Sequence, residues 1–405
     1  MRCWPHCKAH NSPLPPGFHR PDPASALQKS LPMTSSLLQR LGIALPIIQG
    51  PMTGSDTPAL AAAVSSAGGL GMLGCGMRSP AAMAEAAAAV RQQTDRPFGM
   101  NLFVQATPTP DDATVQAALQ RLAPFYAEFG LVPERPAQWC EDFAAQFDVL
   151  VAARPAVASF TFGILTAAQV ARLQAVGSTV IGTATTLAEA QAWAAVGADA
   201  VCASGMEAGG HRGTFLTPTQ PAATGAAPSL ADFAASMVGT LPLVAQCAQA
   251  LSIPVIAAGG IMDGRGIACA LALGAQAVQM GTAFLTCPES AIGPAYREAL
   301  AHAQATDTRT TRIFSGRPAR GIVNRMMQAL QADEATVPPY PVQNALTGAL
   351  RRAAAQAGQA DCLSLWAGQG VAQVRPMPAA QLVALLAQEW QQATAPRGNS
   401  TIGHQ

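Results

Sequence analysis

The amino-acid sequence predicts an α/β protein, a TIM (β/α)8 barrel with an appended, mostly helical C-terminal subdomain. Its 405 residues are 50% hydrophobic and 12% charged, so the chain is long and apolar enough to bury a large core. Short apolar segments bounded by Gly or Pro alternate with Ala-rich segments of helical periodicity. Repeated strand–helix units of this kind are typical of helices packed around a parallel sheet.

Eight segments have the composition of buried strands. They are 46–52, 69–74, 98–104, 157–163, 179–185, 198–205, 254–260 and 277–284. The helices predicted between them include 57–66, 80–93, 187–196 and 264–273. An open doubly wound sheet is the alternative arrangement, but no G-x-G-x-x-G fingerprint follows the first strand. Eight units therefore favour the barrel.

The predicted barrel occupies residues 34–285. Two segments within it, 105–143 and 206–241, are too long for simple strand–helix links and are expected to be lid-like insertions. After the eighth strand, residues 286–395 are expected to form the helical subdomain that closes the active-site face, and residues 396–405 a flexible tail. The Pro-rich residues 1–33 are expected to be a disordered leader or to precede a true start at Met33.

Composition excludes several functional classes. The net charge of +1 gives no electrostatic footprint for nucleic acid or an anionic membrane, and no apolar run reaches the roughly 18 residues of a membrane span. We therefore expect a cytoplasmic protein, monomer or homodimer, whose partners are small molecules. Both lysines, Lys8 and Lys29, lie in the leader, so no later residue can form a Schiff base. No cluster on the predicted strand ends has metal-ligand spacing, and no metal is expected.

The segment EAGGHRG, 207–213, follows the sixth predicted strand and contains His211, one of only two histidines between the leader and the tail. Active-site residues of such barrels lie where the strands end at the C-terminal face. The seventh and eighth strands run into AAGG and QMGT there, and glycine backbone lets N–H groups approach an anion. The sequence therefore predicts a phosphate-bearing cofactor beside His211.

The chain resembles the nitronate monooxygenases, formerly called 2-nitropropane dioxygenases, which are FMN-dependent barrels. The resemblance covers about residues 36–390, and with His211 followed by Arg212 and Gly213 it is closest to the class I group. It is carried in order by PIIQGPM, PALAAAVSSAGGLG, MNLF, EAGGHRGTF, AAGGIMDGRG, AVQMGTAFLTCPES, SGRPARG and WAGQG.

The resemblance implies an FMN site and a substrate site. The residues that it assigns to the cofactor are Gly50, Pro51, Met52, Asn101, Ala184, Ser204, Gly209, Gly210, Gly259, Gly260, Gln279, Met280, Gly281 and Thr282. Substrate contacts are expected from Tyr296 and Tyr340. His211 would be the catalytic base, because an imidazole with its usual pKa near 6.5 can remove the acidic α-proton of a nitroalkane near neutral pH. The implied reaction takes a nitronate, or a neutral nitroalkane, with O2 to a carbonyl compound and nitrite.

The sequence departs from the family pattern at the expected substrate mouth. Ser204 stands where relatives often have glutamine, and Asn344 and Gly348 stand where a tyrosine and a lysine are common. If a cation is needed there, Arg212 or Arg325 are the candidates. Two other functions stay open, an FMN-dependent enoyl-acyl-carrier-protein reductase that needs a nicotinamide, and a non-catalytic flavin-binding barrel.

Overall fold

A computed structural model describes residues 36–216 and 230–395 of the chain. Within them, eight parallel strands alternate with helices, as the sequence predicts. The strands of this sheet are β1 (Ile47–Gln49), β2 (Gly71–Gly74), β3 (Phe98–Phe103), β4 (Val157–Thr161), β5 (Thr179–Ala184), β6 (Ala200–Ser204), β8 (Val255–Ala258) and β9 (Ala277–Met280).

The eight strands form a nearly closed barrel. Their order is β1-β9-β8-β6-β5-β4-β3-β2, and every neighbouring pair is parallel. An isolated parallel bridge between Ile48 and Leu70 brings the first and last strands of this order together. The barrel prediction is thereby confirmed. The predicted eighth strand ran too far, because the chain leaves the sheet at Gly281 and a short helix begins at Thr282.

Several helices of the barrel region begin at a residue whose side chain caps the helix N-terminus. Thr57, Ser79 and Asp263 each accept a hydrogen bond from a backbone N–H in the first turn of the helix that follows. The helices are α1 (Ser36–Leu41), α2 (Pro58–Ser66), α3 (Pro80–Arg91), α4 (Asp112–Ala127), α5 (Phe143–Ala153), α6 (Ala167–Ala175), α7 (Leu187–Ala195), α8 (Leu230–Ala235), α9 (Thr240–Ala250), α10 (Gly264–Ala272) and α11 (Thr282–Leu285).

The rest of the described chain is mostly helical, but it also contains two strands that the sequence did not predict. The helices are α12 (Pro294–His302), α13 (Arg325–Ala329), α14 (Val342–Leu346), α15 (Gly348–Gln356) and α16 (Ala379–Thr394). The strands β10 (Thr308–Thr311) and β11 (Ala319–Ile322) pair antiparallel, and β11 also pairs with β7 (Gly210–His211). The division at residue 285 stays a prediction.

Side chains of successive strand residues alternate between two cores. Inside the barrel, Ile48, Met72 and Cys202 pack with the α1 residues Leu37 and Leu41. The opposite face of the strands packs against the surrounding helices, and α16 packs on α10 and α2. The interior is therefore a filled core, and ligand space is left only where the strands end.

The predicted insertions are described only in part. In 105–143, α4 packs through Leu119, Leu122 and Phe125 against side chains of α13 and α14. In 206–241, residues 217–229 lie outside the described residues, as do the predicted leader and tail. The lid roles of both insertions stay predictions. No helix in the part of the chain that is described is long and apolar enough to cross a membrane.

Candidate active site

A cavity of about 440 Å³ opens at the carboxyl ends of the barrel strands. This is a volume typical of a small-molecule site. Most residues that the sequence assigned to a site lie together in its wall. They are Gly50, Pro51, Met52, Asn101, Ser204, Gly209, Gly210, His211, Gly259, Gly260, Gln279, Met280, Gly281, Thr282 and Tyr296.

Ala184 does not lie in this wall, and its predicted place at the cavity is wrong. The side chain is fully buried in the core between strands and helices. Thr183, the preceding residue of β5, lines the cavity instead. The reason is strand alternation, because neighbouring residues of a strand point to opposite faces of the sheet.

The loop after β8 has a backbone that requires glycine. Gly259 has φ +120° and Gly260 has φ +69°, conformations that L side chains rarely adopt. Thr240 fixes this loop, since its hydroxyl donates to the Glu207 carboxylate (2.7 Å) and its oxygen lies 3.2 Å from the Gly259 carbonyl oxygen. The glycines therefore present bare backbone to the cavity, as close approach of a ligand requires.

The opposite wall is polar but fixed by buried partners. Asn101 on β3 is 3% exposed, and its amide Nδ2 donates to the Ser159 hydroxyl at 2.9 Å. Asp56 accepts hydrogen bonds from the Met52 amide (2.6 Å) and the Gly74 amide (2.8 Å), and it pairs with Arg78. This carboxylate holds the loop after β1 in a fixed conformation against the cavity.

His211 lies on β7, opposite Ala319 of β11. Its Nε2 is 2.9 Å from the Ser315 hydroxyl, and that hydroxyl also donates to the Arg317 carbonyl at 3.1 Å. The hydroxyl has one proton, so when it donates to this carbonyl its oxygen accepts a hydrogen bond from Nε2–H. In that tautomer the lone pair of the neutral imidazole is on Nδ1.

Three aromatic rings surround the imidazole. The ring centroids of Phe162, Tyr340 and Trp366 lie 5.4, 5.6 and 5.3 Å from that of His211. Phe162 has φ +76°, a left-handed conformation that is costly for a bulky residue, and its ring packs under the Arg317 guanidinium at 4.2 Å. Strain of this kind is characteristic of functional sites.

Burial of the imidazole, and then the nearby guanidinium groups of Arg317 and Arg351, lowers the pKa of His211 to about 3. The ring is therefore neutral at physiological pH. Arg317 is held by the carbonyls of Arg212 (2.8 Å) and Thr214. The same two cations that disfavour an imidazolium favour an anion in the cavity.

Neither Arg212 nor Arg325, the two arginines predicted as cations at the substrate mouth, lines the cavity. Arg212 is 1% exposed and donates to the carbonyls of Ser204 (3.0 Å) and Gly205 (2.6 Å). Arg325 pairs with Glu128 and Asp361 away from the cavity. Arg351 lines the cavity instead, beside Asn344, whose backbone and side-chain oxygens both accept from Nη2 at 2.9 Å.

The two predicted substrate tyrosines take different places. Tyr296 lines the cavity, but its hydroxyl donates to the Trp366 carbonyl at 2.5 Å, and burial raises its pKa. Tyr340 contacts the His211 ring and lines a second cavity next to the first. Tyr296 therefore supports the WAGQG segment, while Tyr340 stands beside the imidazole.

Sequence reasoning missed Ser315, Arg317 and Arg351. Ser315 and Arg317 belong to SGRPARG, which carried the resemblance without any role being given to its residues. An arginine in this otherwise unassigned motif was the signal that could have found Arg317. Arg351 lies in a helical segment with no local signal that separates it from a surface arginine.

Fold and site together define a (β/α)8-barrel enzyme that acts on a small molecule. A family model for nitronate monooxygenase matches residues 34–389. A nitronate monooxygenase of Pseudomonas aeruginosa PAO1 is 46% identical over 363 residues, which are 88% of this chain and 99% of that protein. The chain therefore belongs to the nitronate monooxygenase family, and it is an oxidoreductase. The family predicted from sequence is confirmed.

Two solved structures are also similar to this chain. A nitroalkane oxidase from Streptomyces ansochromogenes is similar with a TM-score of 0.80 and 41% identity, over 89% of this chain and 99% of that one. FabK from Thermotoga maritima is similar with a TM-score of 0.66 and 31% identity, over 88% of this chain and 96% of that one.

Proposed function

We propose that this enzyme oxidises alkyl nitronates with O2 to a carbonyl compound and nitrite, with FMN as cofactor and His211 as the base. The observation that carries the proposal is a neutral imidazole, held at Nε2 by Ser315, in a cavity that two guanidinium groups make favourable for an anion. A nitronate is such an anion.

The cavity fits a flavin phosphate. Gly259 and Gly260 adopt backbone conformations that expose the chain to a ligand, and a Cβ at Gly259 would meet the Thr240 hydroxyl at 2.6 Å. We propose that Gly259, Gly260 and the residues Gln279–Thr282 hold the phosphate, while Gly50–Met52, Asn101, Ser204, Gly209 and Gly210 border the flavin. When bound, FMN supplies an acceptor for electrons of the nitronate and the site of reaction with O2.

The proposed role of His211 differs between nitronates and neutral nitroalkanes. With a pKa lowered to about 3, the free imidazole is a weak base. A proton taken from a nitroalkane leaves a nitronate anion beside the imidazolium, and this pair of opposite charges offsets the burial cost. A nitronate needs no proton removal, and the charge of Arg351 favours its binding. We therefore propose that nitronates are the better substrates and that nitroalkanes depend on His211.

The His211→Asn variant tests the assignment of the base. Turnover of neutral nitroethane should fall about 100-fold or more, the range of a lost general base, while turnover of ethyl nitronate falls far less and the flavin stays bound. The matched control is His302→Asn, which removes an exposed histidine on α12. Unchanged nitroethane turnover in His211→Asn would refute the role.

The similarity to FabK makes one competing function worth measuring in the same preparation. Oxidation of NADPH coupled to an enoyl thioester would favour the reductase function. Nitrite release from ethyl nitronate without any nicotinamide would favour the monooxygenase.

A further inference from the structure

A second cavity, of about 490 Å³, adjoins the first and is here called the outer chamber. Met77, Asn344, Arg351 and Ala355 line both spaces. Tyr340 lines the outer chamber and lies with its ring 5.6 Å from that of His211. The outer chamber therefore begins one aromatic ring away from the proposed base.

Small residues on α14 and α15 keep the outer chamber open. Gly348, Ala345 and Ala355 all line it. A Cβ at Gly348 would have a single neighbour within 4 Å, the Arg352 Nη1 at 3.4 Å, so the space in front of this residue is empty of protein atoms. A long side chain at position 348 would fill it.

The wall of the outer chamber has mixed chemistry. Trp139 and Met77, the latter 48% exposed, supply apolar surface. Arg351 adds a positively charged guanidinium, which attracts an acceptor oxygen, and Glu141 and Arg352 line the same wall. The wall suits an apolar group that carries an acceptor oxygen.

We propose that the outer chamber is a subsite for the substituent of the nitronate, and that the enzyme prefers nitronates with an extended apolar chain ending in an acceptor for Arg351. The proposal rests on the proposed function. Its physical basis is size and position, since the first cavity has the volume of one cofactor-sized ligand and the outer chamber is the adjoining space beside the His211 ring. The other adjoining cavity, of about 340 Å³, lies at Gly259 and Gly260, the loop proposed to hold the phosphate. The contact between Asn344 Nδ2 and Met77 Sδ (3.8 Å) lies where the two cavities meet. The methionine side chain is flexible and can move aside to admit a substituent.

The test compares three nitronates, those of nitroethane, 1-nitrohexane and 6-nitrohexanoate. In the unaltered enzyme, kcat/KM should rise from ethyl to hexyl nitronate, because each buried methylene adds transfer free energy. It should rise again for 6-nitrohexanoate, because its carboxylate is an acceptor for Arg351. In Gly348→Leu, the ratio of kcat/KM for hexyl over ethyl nitronate should fall about tenfold or more. Leucine favours a helix more than glycine does, so this variant is expected to fold. Ala355→Leu, at an exposed position in the same wall, should lower the ratio independently.

Ala357→Leu is the matched control, because Ala357 is exposed just after α15 and does not line the outer chamber. It should keep the ratio of the unaltered enzyme. A second control for the acceptor is Arg351→Met, which should remove the preference for 6-nitrohexanoate over 1-nitrohexane and keep the preference for hexyl over ethyl.

Binding gives a readout without turnover. Hexanoate, titrated calorimetrically into the FMN-loaded protein, should bind at least about tenfold more weakly to Gly348→Leu than to Ala357→Leu. Equal hexanoate affinity and an unchanged hexyl-to-ethyl ratio in Gly348→Leu would overturn the subsite while ethyl nitronate is still oxidised. If the unaltered enzyme oxidises no nitronate at all, the proposed function is overturned instead.

Discussion

A neutral, half-buried His211 predicts a specific pH dependence of folding stability. In an unfolded chain the imidazole has a pKa near 6.5, whereas burial and the two neighbouring guanidinium groups lower the folded value to about 3. Below pH 6.5 the unfolded chain therefore binds one proton more than the folded protein, and this group makes stability fall as the pH falls. The effect is absent above pH 6.5 and complete near pH 3.

The perturbation is His211→Gln, which removes the titrating group. Between pH 7.5 and pH 5, the unaltered protein should lose about 2 kcal/mol more of its free energy of unfolding than the variant loses. Toward pH 3 the difference should grow by about 1.4 kcal/mol for each pH unit. Taking the difference cancels the other groups that titrate in this range, because both proteins carry them.

The assay is urea unfolding at saturating FMN, followed by intrinsic fluorescence at half-unit steps of pH. His302→Gln is run in parallel, since it removes the other histidine of the described residues, an exposed one. A difference between the unaltered protein and His211→Gln that stays below about 0.5 kcal/mol at pH 5 would refute a lowered pKa of the folded imidazole.

Three further predictions concern the supports of the site. Ser315→Ala removes the hydrogen bond to His211 Nε2, and nitroethane kcat should fall between about ten- and a hundredfold while the melting temperature changes little; equal kcat would show that Ser315 does not orient the ring. Glu189→Gln should lower the free energy of unfolding by about 3 kcal/mol or more in thermal or urea unfolding, because the buried carboxylate accepts from the amides of Phe215 and Leu216 and from Thr185; a loss below 1 kcal/mol would contradict this. Gly259→Ala should weaken FMN binding in fluorescence titration, whereas Gly197→Ala, also at positive φ but with open space around it, should keep FMN affinity; equal affinities in both variants would argue against a ligand at this loop.

Those parts of the fold that rest on local signals could be predicted from the sequence. The eight strands are apolar runs ended by Gly or Pro, and the helices α2, α3 and α10 begin at capping residues that can be read directly. Strands β10 and β11 were missed because they are four residues long and pair with each other and with β7 at long range. Pairing of that kind has no local signature in the sequence.

The residues of the site also divide into those that have a local signal in the sequence and those that have none. His211 could be found because few histidines lie within the fold, and the site glycines could be found because they follow predicted strands. Positive φ requires glycine at Gly210, Gly259 and Gly260. Ala184 was misplaced by one residue, which is enough to move a strand side chain from the cavity to the core. Arg351 could not be found, because its role depends on the packing of α15 against the barrel mouth.

The lowered pKa of His211 changes what the sequence alone suggested about the base. An imidazole with the usual pKa would serve neutral nitroalkanes near neutral pH. The structure instead gives a cavity that disfavours the imidazolium and favours an anion, through Arg317 and Arg351. The electrostatics of the site therefore support preference for a nitronate over its parent nitroalkane.

The most direct test of the central claim is the visible absorption spectrum of the purified protein before and after anaerobic addition of ethyl nitronate. The account predicts oxidised flavin bands that bleach on addition and return when O2 is admitted, with nitrite released. A protein without flavin bands, or one whose oxidised spectrum stays unchanged after anaerobic nitronate, would contradict it.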